Sequence, residues 1–130
     1  MQGKPTLKAL DVEQRLGELR QLTDGWFDGK EGKALPSDGL DWFAQAFAVN
    51  YSERFVLPHL YPTVDGGIRA EWTFGPNELS LEIDLVSHDA QWHELNVKTD
   101  AEHARSLDLD VAESWKWIMK RLEVLGGRAE

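Results

Sequence analysis

The stretch from Tyr61 to Asn96 constrains the fold most, because apolar and polar residues alternate there in two consecutive runs. The first run extends from Ile68 to Phe74 and the second from Leu79 to Leu85. Since successive side chains of a β-strand point to opposite faces, each run predicts a strand with one apolar face. Gly75-Pro76-Asn77 predicts a tight turn between them, and Asp65-Gly66 predicts another hairpin turn before them. The sequence therefore predicts an antiparallel meander.

The next predicted strand is less regular. Residues 87–89 predict a turn and residues 90–97 a strand, but the apolar positions change parity between Trp92 and Leu95. A β-bulge near His93 and Glu94 would bring both apolar side chains onto one face, and we predict a bulge there. Residues 103–109 predict a last strand.

Three other stretches repeat apolar residues every three or four positions, which predicts amphipathic helices. The first begins after an N-cap at Asp11, and the second has its N-cap at Ser37 or Asp38 and extends to about Asn50. The third has its N-cap at Asp108 or Asp110 and covers residues 111–125. This order predicts an α+β fold, with two N-terminal helices, a four- or five-stranded antiparallel meander, and a C-terminal helix packed on one sheet face. We expect a single domain over residues 1–130, with flexible ends at 1–9 and 126–130.

The polar face of the meander carries the candidate site for chemistry. If Phe74 pairs with Leu79 and Leu85 pairs with Ala90, then Glu71, Glu82 and His93 form one row across three strands. Neighbouring strands lie about 4.8 Å apart, so two carboxylates and an imidazole would be close enough to bind a metal ion or to act as acid and base. The alternative is a solvated polar face in which Arg69 and His93 ease the repulsion.

The last helix carries a second candidate site. Residues 115 and 117 are both Trp, and side chains two positions apart point about 200° apart around a helix. Trp115 belongs to the apolar stripe, so Trp117 is either exposed beside Lys120 and Arg121, or packed against the first helix or the loop around Trp26. An exposed Trp beside basic residues is typical of a protein-binding hot spot.

Composition excludes several function classes. The chain has 130 residues, a formal net charge of −9 and no Cys. The charge disfavours binding to nucleic acids and to anionic membranes, whereas a basic protein partner stays possible. The absence of Cys excludes disulfides and thiolate ligands. We expect no cofactor. The N-terminus lacks the apolar run of a signal peptide, and no window reaches about 20 apolar residues, so we expect a cytoplasmic protein.

Short motifs in the chain are similar to those of one group of proteins. Tyr61-Pro62-Thr63, Gly66-Gly67 and Glu71-Trp72 form a hairpin pattern that resembles one in small bacterial proteins of uncharacterised function. The stretches from Gly25 to Trp42 and from Leu107 to Trp115 are also similar, so the resemblance covers most of residues 20–122. The resemblance implies a bacterial source. It implies no activity, cofactor or catalytic residue.

Three functional hypotheses follow from the sequence. The first is a non-enzymatic module that binds another protein, because the chain is acidic, rich in Trp and without a recognisable catalytic motif. The second is a metal-dependent or acid–base enzyme that uses Glu71, Glu82 and His93. The third is a binder of small ligands, with a pocket between the helices and the sheet. Whether the protein is an enzyme stays open at this stage, with binding favoured. The sequence leaves the oligomeric state undetermined.

Overall fold

The computed structural model describes residues 7–129, and the side chains from residue 12 to residue 129. The elements in chain order are α1 (Leu7–Leu19), α2 (Ser37–Asn50), β1 (His59–Pro62), β2 (Ile68–Phe74), β3 (Asn77–Ile83), β4 (Asp89–Asn96), β5 (Glu102–Asp108) and α3 (Ala112–Leu125). The five strands form one antiparallel sheet in the order β1-β2-β3-β4-β5. The predicted α+β fold, with its meander and C-terminal helix, is confirmed.

One face of the sheet, here called the inner face, is buried and supplies much of the core. Its buried apolar side chains come from all five strands: Leu60, Ile68, Ala70, Trp72, Leu79, Leu81, Ile83, Ala90, Trp92 and Leu107. Buried residues of α2 and α3 join the same core, among them Phe43, Phe47, Trp115 and Ile118. The other face, called the open face, carries mainly exposed polar side chains. This division follows from the period-two alternation of the strands.

The N-caps differ from the sequence prediction at all three helices. The N-cap of α2 is Pro36, so Ser37 and Asp38 lie within the helix. Helix α1 already includes Leu7, so Asp11 lies within the helix and is not its N-cap.

The N-cap of α3 is Val111, whose side chain is exposed, and not Asp108 or Asp110. The Asp108 carboxylate accepts a hydrogen bond from the Asp110 backbone N–H, before the helix begins. Helix α3 ends at Gly126, which adopts the left-handed conformation that glycine permits at this position.

The C-terminal residues that we expected to be flexible are hydrogen-bonded to an earlier loop. Phe55 and Arg128 form an antiparallel bridge, and the Val56 backbone N–H donates to the Gly127 carbonyl at 2.8 Å. The Ala129 backbone N–H donates to the Arg54 carbonyl at 2.7 Å. Of the N-terminal stretch that we also expected to be flexible, residues 7–9 belong to α1, and residues 1–6 lie outside the described part of the chain, as does residue 130.

Gly39 in α2 allows the helix to approach the loop between β3 and β4 closely. A Cβ atom on Gly39 would lie 2.5 Å from the Leu85 carbonyl oxygen and 2.6 Å from the Leu85 Cβ. Both residues are buried. Because these contacts involve backbone and a Cβ atom, the neighbour cannot move aside by a simple rotamer change. The close approach therefore requires glycine at this position.

This geometry predicts opposite outcomes for the same substitution in two helices. Gly17, in α1, has open space where a Cβ would lie, so Gly17→Ala should raise the free energy of unfolding by about 0.5–1 kcal/mol through helix propensity. Gly39→Ala should lower it by about 1–3 kcal/mol through overpacking. Urea denaturation followed by Trp fluorescence measures both. Stabilisation by Gly39→Ala would contradict the packing described for Leu85.

Candidate functional site

The strand register separates the three residues of the predicted open-face row. Glu71 lies opposite Ser80, and Ser80 lies opposite His93, whereas Glu82 lies opposite Arg69 and Gln91. The predicted Glu71–Glu82–His93 row is therefore wrong. Both hairpins are displaced by two residues from the predicted pairing, which keeps Glu71, Glu82 and His93 on their predicted face but changes their neighbours.

The cause of the displacement lies in the two turns. Gly75 and Pro76 alone connect β2 to β3, so Phe74 pairs with Asn77 and not with Leu79. The connection between β3 and β4 is longer, because the strands stop at Ile83 and resume at Asp89. Leu85, which we placed in the strand, is a buried residue of this loop.

Arg69 removes the carboxylate repulsion that the predicted row implied. Its Nη2 lies 2.7 Å from Glu82 Oε2, and its Nη1 lies 3.5 Å from Glu71 Oε2. The hydrogen bond that Arg69 donates to Glu82, partly opposed by burial, raises the pKa of Arg69, and the negative charges of both glutamates add to the effect. All three side chains are at least 40% exposed, so each pair stabilises the fold by about 1 kcal/mol or less.

The side chain of His93 has its acidic neighbour on β5, and not on β3 as we predicted. Its Nε2 lies 3.7 Å from Glu102 Oε1 on β5. Within residues 12–129, no group of three or more His, Asp or Glu side chains is arranged to hold a metal ion. The arrangement is that of the solvated polar face that we weighed as the alternative. Separate binding roles for Glu71, Glu82 and His93 stay predictions.

The inner face contains a buried ion pair that the sequence pattern did not predict. Glu94 is only 6% exposed. Arg121 of α3 binds it with both arms of the guanidinium, Nε at 2.6 Å from Oε2 and Nη2 at 2.7 Å from Oε1. Trp92 Nε1 also donates to Oε2, at 2.8 Å. The predicted bulge at His93 and Glu94 is wrong, because β4 pairs continuously with β3 and β5 and carries Glu94 inward.

The electrostatics of Glu94 follow from two opposing causes. Burial is the largest single influence and disfavours the charged carboxylate. The hydrogen bonds from Arg121 and Trp92, with the positive charges of Arg121 and His103, together outweigh burial, so the pKa of Glu94 is lowered. The same bond raises the pKa of Arg121. Arg121, which we predicted to be a binding residue, is thus occupied within the fold.

Trp117 lies between the two environments that we considered. It is partly buried, and its ring meets the Trp92 ring edge-on, with centroids 5.6 Å apart. Arg105 of β5 lies over the Trp117 ring, with Cζ 4.7 Å from the centroid. Trp117 therefore packs on the sheet beside its last strand, against Trp92 and Arg105. Lys120, three residues further along α3, is exposed.

Strand β5 has a free edge beside Trp117. The Ala101 carbonyl accepts from the Asn96 N–H, and the Leu109 N–H donates to the His88 carbonyl, both at 3.0 Å. Odd-numbered residues therefore point their backbone groups to β4, and Glu102, Ala104 and Ser106 point theirs away from the sheet. In the described chain, β5 pairs only with β4. We call β5 with Trp117 and Lys120 the β5–α3 surface.

A second cluster that sequence reasoning missed joins three elements. The rings of Trp42 and His88 are stacked, with centroids 3.7 Å apart and planes inclined by 2°. His88 Nδ1 lies 2.9 Å from both carboxylate oxygens of Asp110, and Trp42 Nε1 donates to the same carboxylate at 3.1 Å. His88 has a positive φ of 70°. This cluster holds the β3–β4 loop against α2 and against the loop before α3. A His at the turn was visible in the sequence, but its partners 46 and 22 positions away were not.

A groove of about 510 Å³ lies between α1 and β1 and is lined by residues of both elements. A much smaller cavity lies in the core, between α2, α3 and the inner face of the sheet. The cavity bounded there by Phe43, Phe47, Trp72, Leu81 and Trp115 has a volume of about 10 Å³. Such a volume is about the minimum for one water molecule. The core cavity is too small for a ligand, whereas the groove between α1 and β1 has the volume of a ligand pocket. The third hypothesis therefore stays a prediction.

Comparisons with known proteins leave the family undetermined. No protein-family model matches the chain, and neither the curated proteins nor the solved structures contain a match. The resemblance of the Tyr61–Trp72 hairpin to small bacterial proteins stays a prediction. Across residues 7–129, none of the helices is long and apolar enough to cross a membrane.

The Glu94–Arg121 pair predicts a pH-dependent loss of stability. Glu94→Gln leaves the guanidinium of Arg121 without its counter-charge, so the free energy of unfolding at pH 7 should fall by about 3 kcal/mol. Because the pKa of Glu94 is lowered in the folded state, the carboxylate stabilises fully above the unfolded value of about 4.3. That contribution disappears as the pH falls through the folded pKa. The difference between the two proteins should therefore shrink below about pH 4.

Denaturation with urea between pH 3 and pH 7 measures this difference. Glu82→Gln is the matched control, because it removes a carboxylate from the exposed pair with Arg69 and should change the free energy of unfolding by about 1 kcal/mol or less. Equal effects of the two substitutions, or a Glu94→Gln effect that does not vary with pH, would contradict the assignment.

Proposed function

We propose that this protein is a non-enzymatic module that binds another protein through the β5–α3 surface. The observation that carries the proposal is the position of Trp117 and Arg105 at the free edge of β5. Trp and Arg are the residues most enriched at the energetic centres of protein interfaces. An unpaired strand edge adds hydrogen-bonding groups that a partner backbone can satisfy.

The rigidity of the two side chains favours this surface over others. Trp117 is held by Trp92 on one side, and Arg105 lies over its ring. A partner that contacts these groups would therefore lose little additional side-chain entropy. By contrast, the enzyme hypothesis depended on one row of Glu71, Glu82 and His93, and Glu82 lies in a different row from the other two, which are separated by Ser80.

Site-specific photo-crosslinking in lysate of the source organism tests the proposal. A photoreactive amino acid replaces Ser106, which is exposed on β5, and, as the matched control, Ala48, which is exposed on α2. We expect an adduct of defined mass from position 106 and none from position 48. Excess unlabelled wild-type protein should abolish the adduct. Identical adducts from both positions, or no adduct from position 106, would count against the proposed surface.

A further inference from the structure

The two edges of the sheet differ in how accessible they are to a further strand. Strand β1 has four residues, and Pro62 lacks a backbone N–H. The Leu60 carbonyl of β1 accepts a hydrogen bond from Arg15 Nε of α1 at 2.9 Å. Short length, proline and a covering helix are devices by which proteins block edge pairing. Strand β5 has seven residues, none of them proline or glycine, and no described helix covers its outer edge.

The free backbone groups of β5 are regularly spaced. Glu102, Ala104 and Ser106 present N–H and C=O groups along about 13 Å of edge, at a rise of about 3.3 Å per residue. Ala104 and Ser106 have small side chains on the open face, so they leave room for a neighbouring strand. The edge is thus compatible with the addition of a sixth strand.

The inner-face side chains of β5 specify the charge of such a strand. His103 and Arg105 are exposed there, whereas Leu107 is buried. Among residues 12–129, Arg105 has no ion-pair partner, since its identified contact is the ring of Trp117. A carboxylate on an added strand would lie beside Arg105, about one strand spacing away. Lys120 is a further exposed basic residue, three positions after Trp117 on α3.

A second copy of this chain is a poor occupant of the edge. In a continuous sheet, two antiparallel copies of β5 must pair residues that share a face. Centring the pair on residue 105 places Arg105 opposite Arg105, and centring it on residue 104 places His103 opposite Arg105. Centring on residue 106 places Arg105 opposite the apolar Leu107. Two arginines directly opposite one another destabilise a sheet, and neither of the other two registers places a carboxylate opposite Arg105.

We infer that β5 binds an extended acidic segment of a protein partner as a sixth antiparallel strand. The segment carries carboxylates opposite Arg105 and His103 and an apolar side chain opposite Leu107. Antiparallel addition continues the pattern of the sheet and is slightly more stable per residue than parallel addition. This inference rests on the proposed function and specifies the chemistry of its partner.

Blocked synthetic peptides test the inference on the full chain. The probe is Thr-Val-Thr-Glu-Thr-Glu-Thr, which places Val opposite Leu107 and the two Glu opposite Arg105 and His103. NMR titration should show the largest shifts at the amides of Glu102, Ala104 and Ser106. A peptide with Lys in place of Glu should bind at least tenfold more weakly. N-methylation at the third and fifth residues, which face β5, should abolish binding.

Two charge reversals provide the matched comparison. Arg105→Glu should weaken binding of the acidic peptide at least tenfold and favour the Lys peptide. Arg54→Glu changes the net charge equally and also removes an arginine that lies over an aromatic ring, that of Phe55 at 5.8 Å, but it should leave binding unchanged. Ala104→Pro should retain the thermal stability, because its N–H points away from β4, and should abolish binding.

The outcomes separate this inference from the proposed function. If no peptide binds but position 106 still forms its specific adduct, the partner is not an acidic strand and the inference is overturned while the proposed function stands. If both experiments fail, both are overturned. Equal binding of the Glu and Lys peptides, or concentration-dependent dimerisation that Ala104→Pro abolishes, would also overturn the acidic-strand inference.

Discussion

The buried carboxylate of Glu94 is the constraint on which the C-terminal half of the structure depends. A charge at 6% exposure requires a partner, and Arg121 supplies one from α3 with two short hydrogen bonds. This pair fixes the rotation of α3 about its own axis and its position over β4. Trp117, one turn earlier, is thereby placed against Trp92 and under Arg105. The arrangement leaves His103 and Arg105 exposed beyond the helix.

The fold could be predicted from the sequence because its signals are local. Alternation in 68–74 and 79–83 identified two strands and their faces, and helical spacing identified α2 and α3. Strand register was not predictable in the same way, because a turn of two residues and a turn of four fit the same Gly-Pro-Asn sequence. A shift by two residues preserves the faces, so the fold class was correct while the row of Glu71, Glu82 and His93 was wrong.

The candidate site was harder to predict because it depends on long-range pairing. A glutamate at an inner position looks like a break in the strand pattern until its arginine partner, 27 residues away, is known. The free edge of β5 is a property of the topology, since only the order of all five strands shows which one is last. Trp117 and Lys120 were selected from the helix alone, but Arg105 required the sheet. The open face contains more ionisable groups than the β5–α3 surface, but its two central carboxylates, Glu71 and Glu82, already form ion pairs with Arg69.

The hydrogen bond from Arg15 to the Leu60 carbonyl has a consequence for stoichiometry. A sheet with two available edges can pair with another molecule at each edge, and so can grow into a fibre. Here α1 and Pro62 block strand pairing at β1, so the sheet has one available edge, that of β5. A partner strand can therefore add at β5 but not at β1, so each molecule presents one edge of its sheet to a partner.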